Sequence, residues 1–203
     1  FKKVYKRHTN FSRESIQIKF NGDTGIGLRA QAIISRNADL LHRMYLEITY
    51  ATATCRYPNA FASIDNVELH IGGQIIDKHY GEWMHLWTEL ITAGDKSILL
   101  NKMTECQVSG RTAIVPLQFW FCRNPGLAIP LVCLQYHEVK VIVEFAAASS
   151  AGETLTANLF CDYIYLDTEE RRRFAQISHE YLIEQANRVN KNIVTSGSGA
   201  ITH

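Results

Sequence analysis

The sequence lacks the features that mark several large classes of protein. Its 21 lysine and arginine residues nearly balance its 20 aspartate and glutamate residues, so the formal net charge is only +1. This balance argues against a protein that binds nucleic acid through a broad basic surface. No apolar run approaches the roughly eighteen residues that a membrane-spanning helix requires. We therefore expect no membrane span and no sequence-specific binding of nucleic acid.

Cysteine is also sparse, and no Cys-x-x-Cys pair occurs. The chain has five cysteines, an odd number, at wide spacings, which indicates neither a disulfide framework nor a zinc site. Most of them have apolar neighbours, so the prediction is buried free thiols in a reducing, intracellular setting. Asn10-Phe11-Ser12 is a glycosylation sequon, but it matters only if the chain enters a secretory route. The cysteines are Cys55, Cys106, Cys122, Cys133 and Cys161.

Catalytic motifs are missing as well. There is no phosphate-binding loop and no Gly-x-Ser-x-Gly motif. Asp23-Thr24-Gly25 matches the tripeptide of aspartic proteases, but it occurs once and follows Asn21-Gly22, so a homodimer would be needed and a plain turn is favoured. Glu82 and His85 have the spacing of di-iron helical bundles, yet such sites need further copies. We predict no enzyme, no catalytic residue, no cofactor and no metal.

What the chain does have is alternation at period two, the pattern of half-buried strands. The clearest example is residues 139–145, where valines and a phenylalanine alternate with Lys140, Ile142 and Glu144. Turn-rich stretches at 21–25, 124–126 and 148–152 separate the segments. The other predicted strands centre on Ile16–Phe20, Leu28–Ala32, Leu46–Tyr50, Thr112–Gln118 and Leu159–Tyr165.

The central hairpin and the helix after it are the most informative stretch. Val67, Leu69 and Ile71 alternate with polar residues, and Gly72-Gly73 can take the positive φ angles of a hairpin turn. The period then changes: Trp83, Trp87, Leu90 and Ile91 share one face of a helix over residues 81–91. This face is expected to pack on the sheets, although tryptophan is also common in interface hot spots.

Together these segments predict an all-β fold. At 203 residues the chain suits one large domain. About eight strands with one short helix between them are typical of a sandwich or barrel. We predict an eight-stranded jelly-roll β-sandwich with a short helix inserted after the central hairpin. A charge cluster at 167–173 is expected to be a solvated face, followed by a short amphipathic segment over 174–183.

Four blocks of the sequence resemble the major capsid proteins of large nucleocytoplasmic DNA viruses. They are residues 1–11 (FKKVYKRHTNF), residues 67–87 with the motifs IGGQ and DKHYGEWM, residues 116–131 with NPGLAIP, and residues 166–185 with LDTEERRRFA. They span nearly the whole chain in the family's order, which makes the resemblance specific.

The resemblance implies a jelly roll of the double-jelly-roll lineage. In that lineage two jelly rolls trimerise into a pseudo-hexagonal capsomer, and capsomers tile an icosahedral shell over an internal membrane. It implies a homotrimer, contacts with neighbouring capsomers and minor capsid proteins, assembly in the host cytoplasm and a place in the virion. The chain has about half the expected length. We expect residues 1–189 to be the first jelly roll and residues 190–203 to be a linker or cut end toward an absent second one.

Candidate interface residues come from two stretches, the helix after the hairpin and the turn before residue 130. They are Trp83, Trp87, Asn124, Pro125 and Leu127. A different class of function stays open, because lectins share this architecture. The alternative is a carbohydrate-binding β-sandwich module, which would show clustered exposed aromatic residues on one sheet or a calcium-binding loop.

Overall fold

The computed structural model describes residues 8–51, 59–106, 112–147 and 154–189. Within them, nine strands form two sheets in which all neighbours are antiparallel. The predicted linker at 190–203, the turn at 148–152, Cys55 and residues 1–7 lie outside the described residues. The strands are β1 (Phe11–Ile18), β2 (Arg29–Ile34), β3 (Leu40–Tyr50), β4 (Ile64–Ile71), β5 (Gln74–Tyr80), β6 (Thr112–Pro116), β7 (Ile129–Pro130), β8 (Val139–Phe145) and β9 (Leu155–Leu166).

The strand order is that of a jelly roll. One sheet has the order β1-β9-β3-β6, with the two-residue β7 also paired to β3, and the other has the order β2-β8-β4-β5. Apart from the β4–β5 hairpin, successive long strands alternate between the two sheets. The predicted fold class is confirmed, and the eight predicted strands correspond to the eight long ones.

The core lies between the sheets and follows the alternation in the sequence. Leu46 and Ile48 of β3 are fully buried, as are Val141 and Val143 of β8, while the residues between them face outward. Burial of this apolar surface is the main term that holds the two sheets together. The hairpin between β4 and β5 turns at Gly72 and Gly73, whose φ angles of 60° and 86° are positive as predicted.

Four α-helices and two short 3-10 helices accompany the sheets in the described residues. The α-helices are α1 (Gly81–Ile91), α2 (Gly94–Thr104), α3 (Trp120–Arg123) and α4 (Thr168–Gln176), and the 3-10 helices are Ala60–Ser63 and Pro125–Leu127. Only α1 was expected from the pattern after the hairpin. Helix α2 was not predicted, because its apolar residues Ile98, Leu99 and Leu100 are consecutive and therefore show no helical periodicity. Helix α4 forms within the predicted charge cluster and begins where Asp167 Oδ1 accepts a 2.7 Å hydrogen bond from the N–H of Thr168. None of the described helices has the length and apolar character to cross a membrane.

Candidate assembly surface

Helix α1 rests on the sandwich through a narrow face made of Gly81, Met84 and Thr88, which are its buried residues. A Cβ atom at Gly81 would lie 2.2 Å from the carbonyl oxygens of both Phe61 and Ile64, so only glycine permits this approach. Thr88 Oγ1 donates a 2.6 Å hydrogen bond to the carbonyl oxygen of Met84. The helix is therefore held close to the chain that leads into β4.

A second, apolar stripe of α1 faces away from the core. Trp83, Leu86, Trp87 and Leu90 are spaced i, i+3, i+4 and i+7, so they share one side of the helix. The two indoles are half-buried, whereas Leu86 is 53% and Leu90 is 72% exposed; Ile91 is 59% exposed. Leu90 and Ile91 are exposed and the two tryptophans are only partly buried, because the face with Gly81, Met84 and Thr88 makes the contact with the sandwich.

The next helix adds to this exposed apolar character. Ile98 and Leu99 of α2 are 65% and 62% exposed, and α2 contacts β6. Large exposed apolar patches mark sites of interaction with another protein or surface. We refer to the exposed or half-buried apolar side chains of the two helices as the α1–α2 surface: Trp83, Leu86, Trp87, Leu90, Ile91, Ile98 and Leu99.

Arg123 links the two stretches that were predicted as interface candidates. Its guanidinium carbon lies 4.5 Å from the ring centroid of Trp87, within the range of a cation–π contact. Trp87 in turn lies 5.3 Å from Trp83 between ring centroids. Because Arg123 directly precedes Asn124, this contact brings the tryptophan pair and the 124–127 turn onto one side of the molecule.

The 124–127 turn is held by its own hydrogen bonds. Asn124 Oδ1 accepts from the N–H of Gly126 at 2.9 Å, and the N–H of Leu127 donates to the carbonyl oxygen of Asn124 at 2.9 Å. Asn124 and Pro125 are exposed and Leu127 is half-buried. The turn therefore presents a fixed shape to its surroundings, and its contact with a neighbouring copy stays a prediction.

Beyond α4 the described chain has no regular secondary structure, and we call residues 177–189 the C-terminal arm. Tyr181 Oη donates a 3.4 Å hydrogen bond to the carbonyl oxygen of Ala128. The N–H of Ala186 donates to Asp77 Oδ1 at 3.3 Å, beside the edge strand β5. Arg188 lies 3.5 Å from Glu82 at the start of α1. The amphipathic segment predicted over 174–183 is thus divided between the end of α4 and this arm.

A cavity of about 550 Å³ lies between the arm and α1. Its wall includes His79, whose Nε2 is 2.9 Å from Asp77 Oδ2 and whose ring stacks on Phe119 at 4.7 Å. Both members of this pair are buried, at 2% and 3% exposure. The sequence does not single out Asp77 and His79, because both occupy inward-facing positions of strand β5. The cavity beside His79 exists only because the arm passes over this strand.

A separate apolar groove of about 520 Å³ lies between residues 129–136 and the α4–arm junction. Its walls are mostly aliphatic and aromatic side chains. Tyr136 is 93% exposed, Ile177 51% and Ile183 40%, so much of this apolar lining faces solvent. We call it the arm groove, and it is lined among others by Trp120, Ile129, Val132, Cys133, Leu134, Tyr136, Phe174, Ile177, Tyr181 and Ile183.

The outer face of the second sheet carries a charge network around a buried carboxylate. Glu68 lies 2.9 Å from Arg29, 3.0 Å from His70 and 2.9 Å from Lys78. Burial acts to raise the pKa of Glu68, but the hydrogen bonds with His70 and Lys78 and the nearby positive charges outweigh it. The pKa of Glu68 is therefore lowered. The ionised carboxylate links side chains of strands β2, β4 and β5.

The enzymatic alternatives find no support in the geometry. Asp23 is exposed in a loop, as the turn prediction holds, and Thr24 Oγ1 accepts a 3.3 Å hydrogen bond from the N–H of Ala157. Glu82 pairs with Arg188, while the His85 ring packs 5.6 Å from Phe61. In the part of the chain that is described, no three His, Cys, Asp or Glu side chains are grouped to hold a metal ion.

These features define a jelly roll with exposed apolar surfaces, a class that includes viral capsid and lectin domains. Residues 1–167 match a family model described as major capsid protein N-terminus. The chain belongs to the major capsid protein family of large nucleocytoplasmic DNA viruses. It is 50% identical over 206 residues to the major capsid protein of Pyramimonas orientalis virus, covering 91% of this chain and 52% of that protein.

Other relatives agree. The chain is 42% identical over 205 residues to the major capsid protein of Paramecium bursaria Chlorella virus 1, covering 91% of this chain and 47% of that protein. It matches a chain of the solved PBCV-1 virus capsid with a TM-score of 0.81 at 41% identity, covering 91% of this chain and 49% of that chain. The two curated relatives are both named major capsid proteins. The chain spans about half the length of the curated relatives it matches, 52% and 51% for two of them.

Proposed function

We propose that this chain is a capsid building block that self-associates into trimeric, pseudo-hexagonal capsomers of an icosahedral shell. The observation that supports this most is the combination of a jelly-roll strand order with a family match over residues 1–167. A rigid sandwich with exposed apolar surfaces suits repeated, symmetric contacts between identical copies. Near-zero net charge, +1 for the whole chain, keeps long-range repulsion between packed copies small.

We further propose that residues 1–189 form the first of two jelly rolls in the whole protein. The curated relatives are about twice as long as this chain, which leaves room for a second domain of similar size. The arm brings the chain from α4 to α1, where Arg188 meets Glu82 and lies 4.8 Å from the ring of Tyr80. The last described residues therefore lie beside the start of α1.

The contact residues that we propose are Trp83, Trp87, Asn124, Pro125 and Leu127. Tryptophan is enriched in interface hot spots because a large apolar side chain with few rotamers loses little entropy on binding. The two indoles are only half-buried within one copy, so further burial can stabilise an assembly. The turn lies on the same side, joined to Trp87 by Arg123.

The biological setting follows from the same proposal. The protein is assembled in the host cytoplasm and resides in the virion shell, which lies over an internal membrane. Its partners are copies of itself, neighbouring capsomers and minor capsid proteins. No cofactor enters this function.

Electron microscopy of the purified chain tests the proposal. Class averages with three-fold symmetry and a central axis surrounded by sandwich-shaped domains are the expected result. Single, unassociated domains at every protein concentration would overturn self-association by this part of the protein. The carbohydrate-binding alternative predicted clustered exposed aromatic residues on a sheet, but Trp83 and Trp87 lie on helix α1 instead.

A further inference from the structure

We propose that Asn21 is a site of spontaneous deamidation, at which the folded chain slowly converts an asparagine into isoaspartate and aspartate. Asn21-Gly22 is the one Asn-Gly pair in the sequence. Asparagine is a thermolabile residue. A glycine after it has no side chain, so its main-chain nitrogen can reach the asparagine side chain without a steric clash. This chemistry is independent of the proposed assembly, because it needs only one copy of the chain and water.

The loop between β1 and β2 leaves both reacting groups free. Asn21 and Gly22 are exposed. Neither the side-chain amide of Asn21 nor the N–H of Gly22 makes a hydrogen bond within the described residues. Gly22 has a φ of 100°, and a Cβ atom placed on it would meet nothing within 4 Å. The Gly22 nitrogen and the water around it are therefore unobstructed.

Other asparagines in the described part of the chain lack this combination, and none of them is followed by glycine. Asn66 is buried, and its Nδ2 donates a 2.8 Å hydrogen bond to Glu144. Asn124 is exposed, but Pro125 follows it. A proline nitrogen carries no hydrogen and cannot take part in the attack. Asn124 is therefore an internal control with similar exposure.

The reaction balances with water as the only co-reactant. The nitrogen of Gly22 gives up its proton and bonds to Cγ of Asn21, the bond from Cγ to Nδ2 breaks, and ammonia leaves with the proton. The product is a cyclic succinimide, which water opens at either of its two carbonyl groups. Opening at one carbonyl gives aspartate. Opening at the other gives isoaspartate, in which the main chain runs through Cβ.

Both products change the connection between β1 and β2. Each replaces a neutral amide with a carboxylate, which lowers the formal net charge from +1 to zero. The N–H of Asn21 donates to the carbonyl oxygen of Gln31 at 2.7 Å, and the N–H of Gln31 donates back to the carbonyl oxygen of Asn21 at 3.3 Å. In isoaspartate that second acceptor becomes part of a free carboxylate, and the main chain is one carbon longer. Because β1 and β2 lie in different sheets, the modification alters a link between the two layers.

Mass spectrometry of the folded full chain tests the site. The chain is incubated at neutral and at mildly alkaline pH, and tryptic peptides are compared over time, with the zero-time sample correcting for deamidation during digestion. Cleavage after Lys19 and Arg29 places Asn21 in the peptide of residues 20–29. This peptide should gain the mass difference between an amide and an acid, as two species that separate by chromatography. The gain should be faster at the higher pH, because more of the Gly22 nitrogen is deprotonated. The peptide that contains Asn124 should keep its mass.

A variant and a free peptide make the test decisive. Asn21→Gln keeps an amide but has a side chain one carbon too long for the succinimide ring, so the mass gain should be lost, with circular dichroism showing that the fold is retained. A synthetic peptide of residues 20–29 gives the rate without the fold, and the folded chain should react at a comparable rate. A folded chain that keeps its mass while the free peptide deamidates would overturn the proposal. An equal mass gain in Asn21→Gln would overturn it as well.

Discussion

Arg171 of α4 donates two hydrogen bonds to the carboxylate of Asp39, from Nε at 2.7 Å and from Nη2 at 3.1 Å. Asp39 is 5% exposed and also accepts a 2.8 Å hydrogen bond from the N–H of Leu166. Hydrogen bonding to Asp39 raises the pKa of Arg171. One buried carboxylate thus fastens α4 and the end of β9 to the start of β3, and with them the beginning of the arm.

Replacing Asp39 should therefore destabilise the fold. In Asp39→Ala the N–H of Leu166 and the guanidinium of Arg171 lose their acceptor, which we expect to lower the free energy of unfolding by about 1–3 kcal/mol. Urea denaturation followed by tryptophan fluorescence measures the change. Asp23→Ala is the control, because Asp23 is exposed in a loop, and it should alter stability by less than about 0.5 kcal/mol. Equal effects of the two variants would contradict the role given to Asp39.

The close packing of α1 on the sandwich gives a second prediction. It compares two glycines, each at the start of a helix. Gly81→Ala should lower the free energy of unfolding by about 1–3 kcal/mol or more, because its methyl group would overlap two backbone carbonyls. Gly94→Ala at the start of α2 meets no atom within 4 Å. It should leave stability unchanged or raise it by up to about 1 kcal/mol. Thermal unfolding of both variants measures the difference. A Gly81→Ala variant that is as stable as the unmodified chain would contradict the close contact between Gly81 and the two carbonyl oxygens.

His42 should make stability depend on pH near neutrality. Its ring is 1% exposed and Nδ1 lies 2.9 Å from the carbonyl oxygen of Phe121, and burial is the main cause that lowers its pKa below 6.5. The other charged groups that act on it are Arg43, Arg13 and Asp162. Because the unfolded state takes up a proton first, the free energy of unfolding should fall as pH drops through about 6.5 toward the folded-state pKa.

Urea denaturation between about pH 7.5 and 5.5 measures this slope. His42→Gln should reduce the slope, while His8→Gln, at an exposed position, should retain it. The same slope in all three proteins would show that His42 is not the group responsible.

Glu68 should act in the acid range with the same sign of linkage as His42, because its folded-state pKa is also lowered. Its folded-state pKa is lowered from 4.5, so its contribution is complete above that value and is lost as pH falls through the folded-state pKa. Glu68→Gln should lower stability at neutral pH and weaken its decline on acidification. Acid titration monitored by circular dichroism tests this, with Glu89→Gln on the exposed side of α1 as the control. If stability declines on acidification equally in Glu68→Gln and in the control, Glu68 is not the group responsible.

The sequence predicts the sheets better than it predicts the surface. Strands such as β2 and β8 are visible because burial alternates with every residue, and Gly72-Gly73 marks the turn of the central hairpin. The outward stripe of α1 could not be predicted, because an apolar stripe at helical spacing has the same pattern whether it meets the core or a partner. Only the contact of Gly81 with two carbonyl oxygens decides which face is buried.

The arm and α2 escaped prediction for different reasons. Helix α2 has no apolar side, so its hydrophobic residues give no helical period. The arm is positioned by single side-chain contacts such as Ala186 with Asp77 and Arg188 with Glu82, which join residues about one hundred positions apart. Pairings of that kind depend on the finished fold and leave no local signal. The candidate turn at 124–127, in contrast, was visible from its Asn-Pro-Gly sequence.

The mass of the chain in solution, measured by light scattering after size exclusion over a range of concentrations, tests the central claim most directly. A trimeric capsomer predicts a stable species near three times the chain mass of 23.1 kDa, reached without any added partner. A mass of one chain at every concentration would contradict the claim that this jelly roll carries the contacts for self-association.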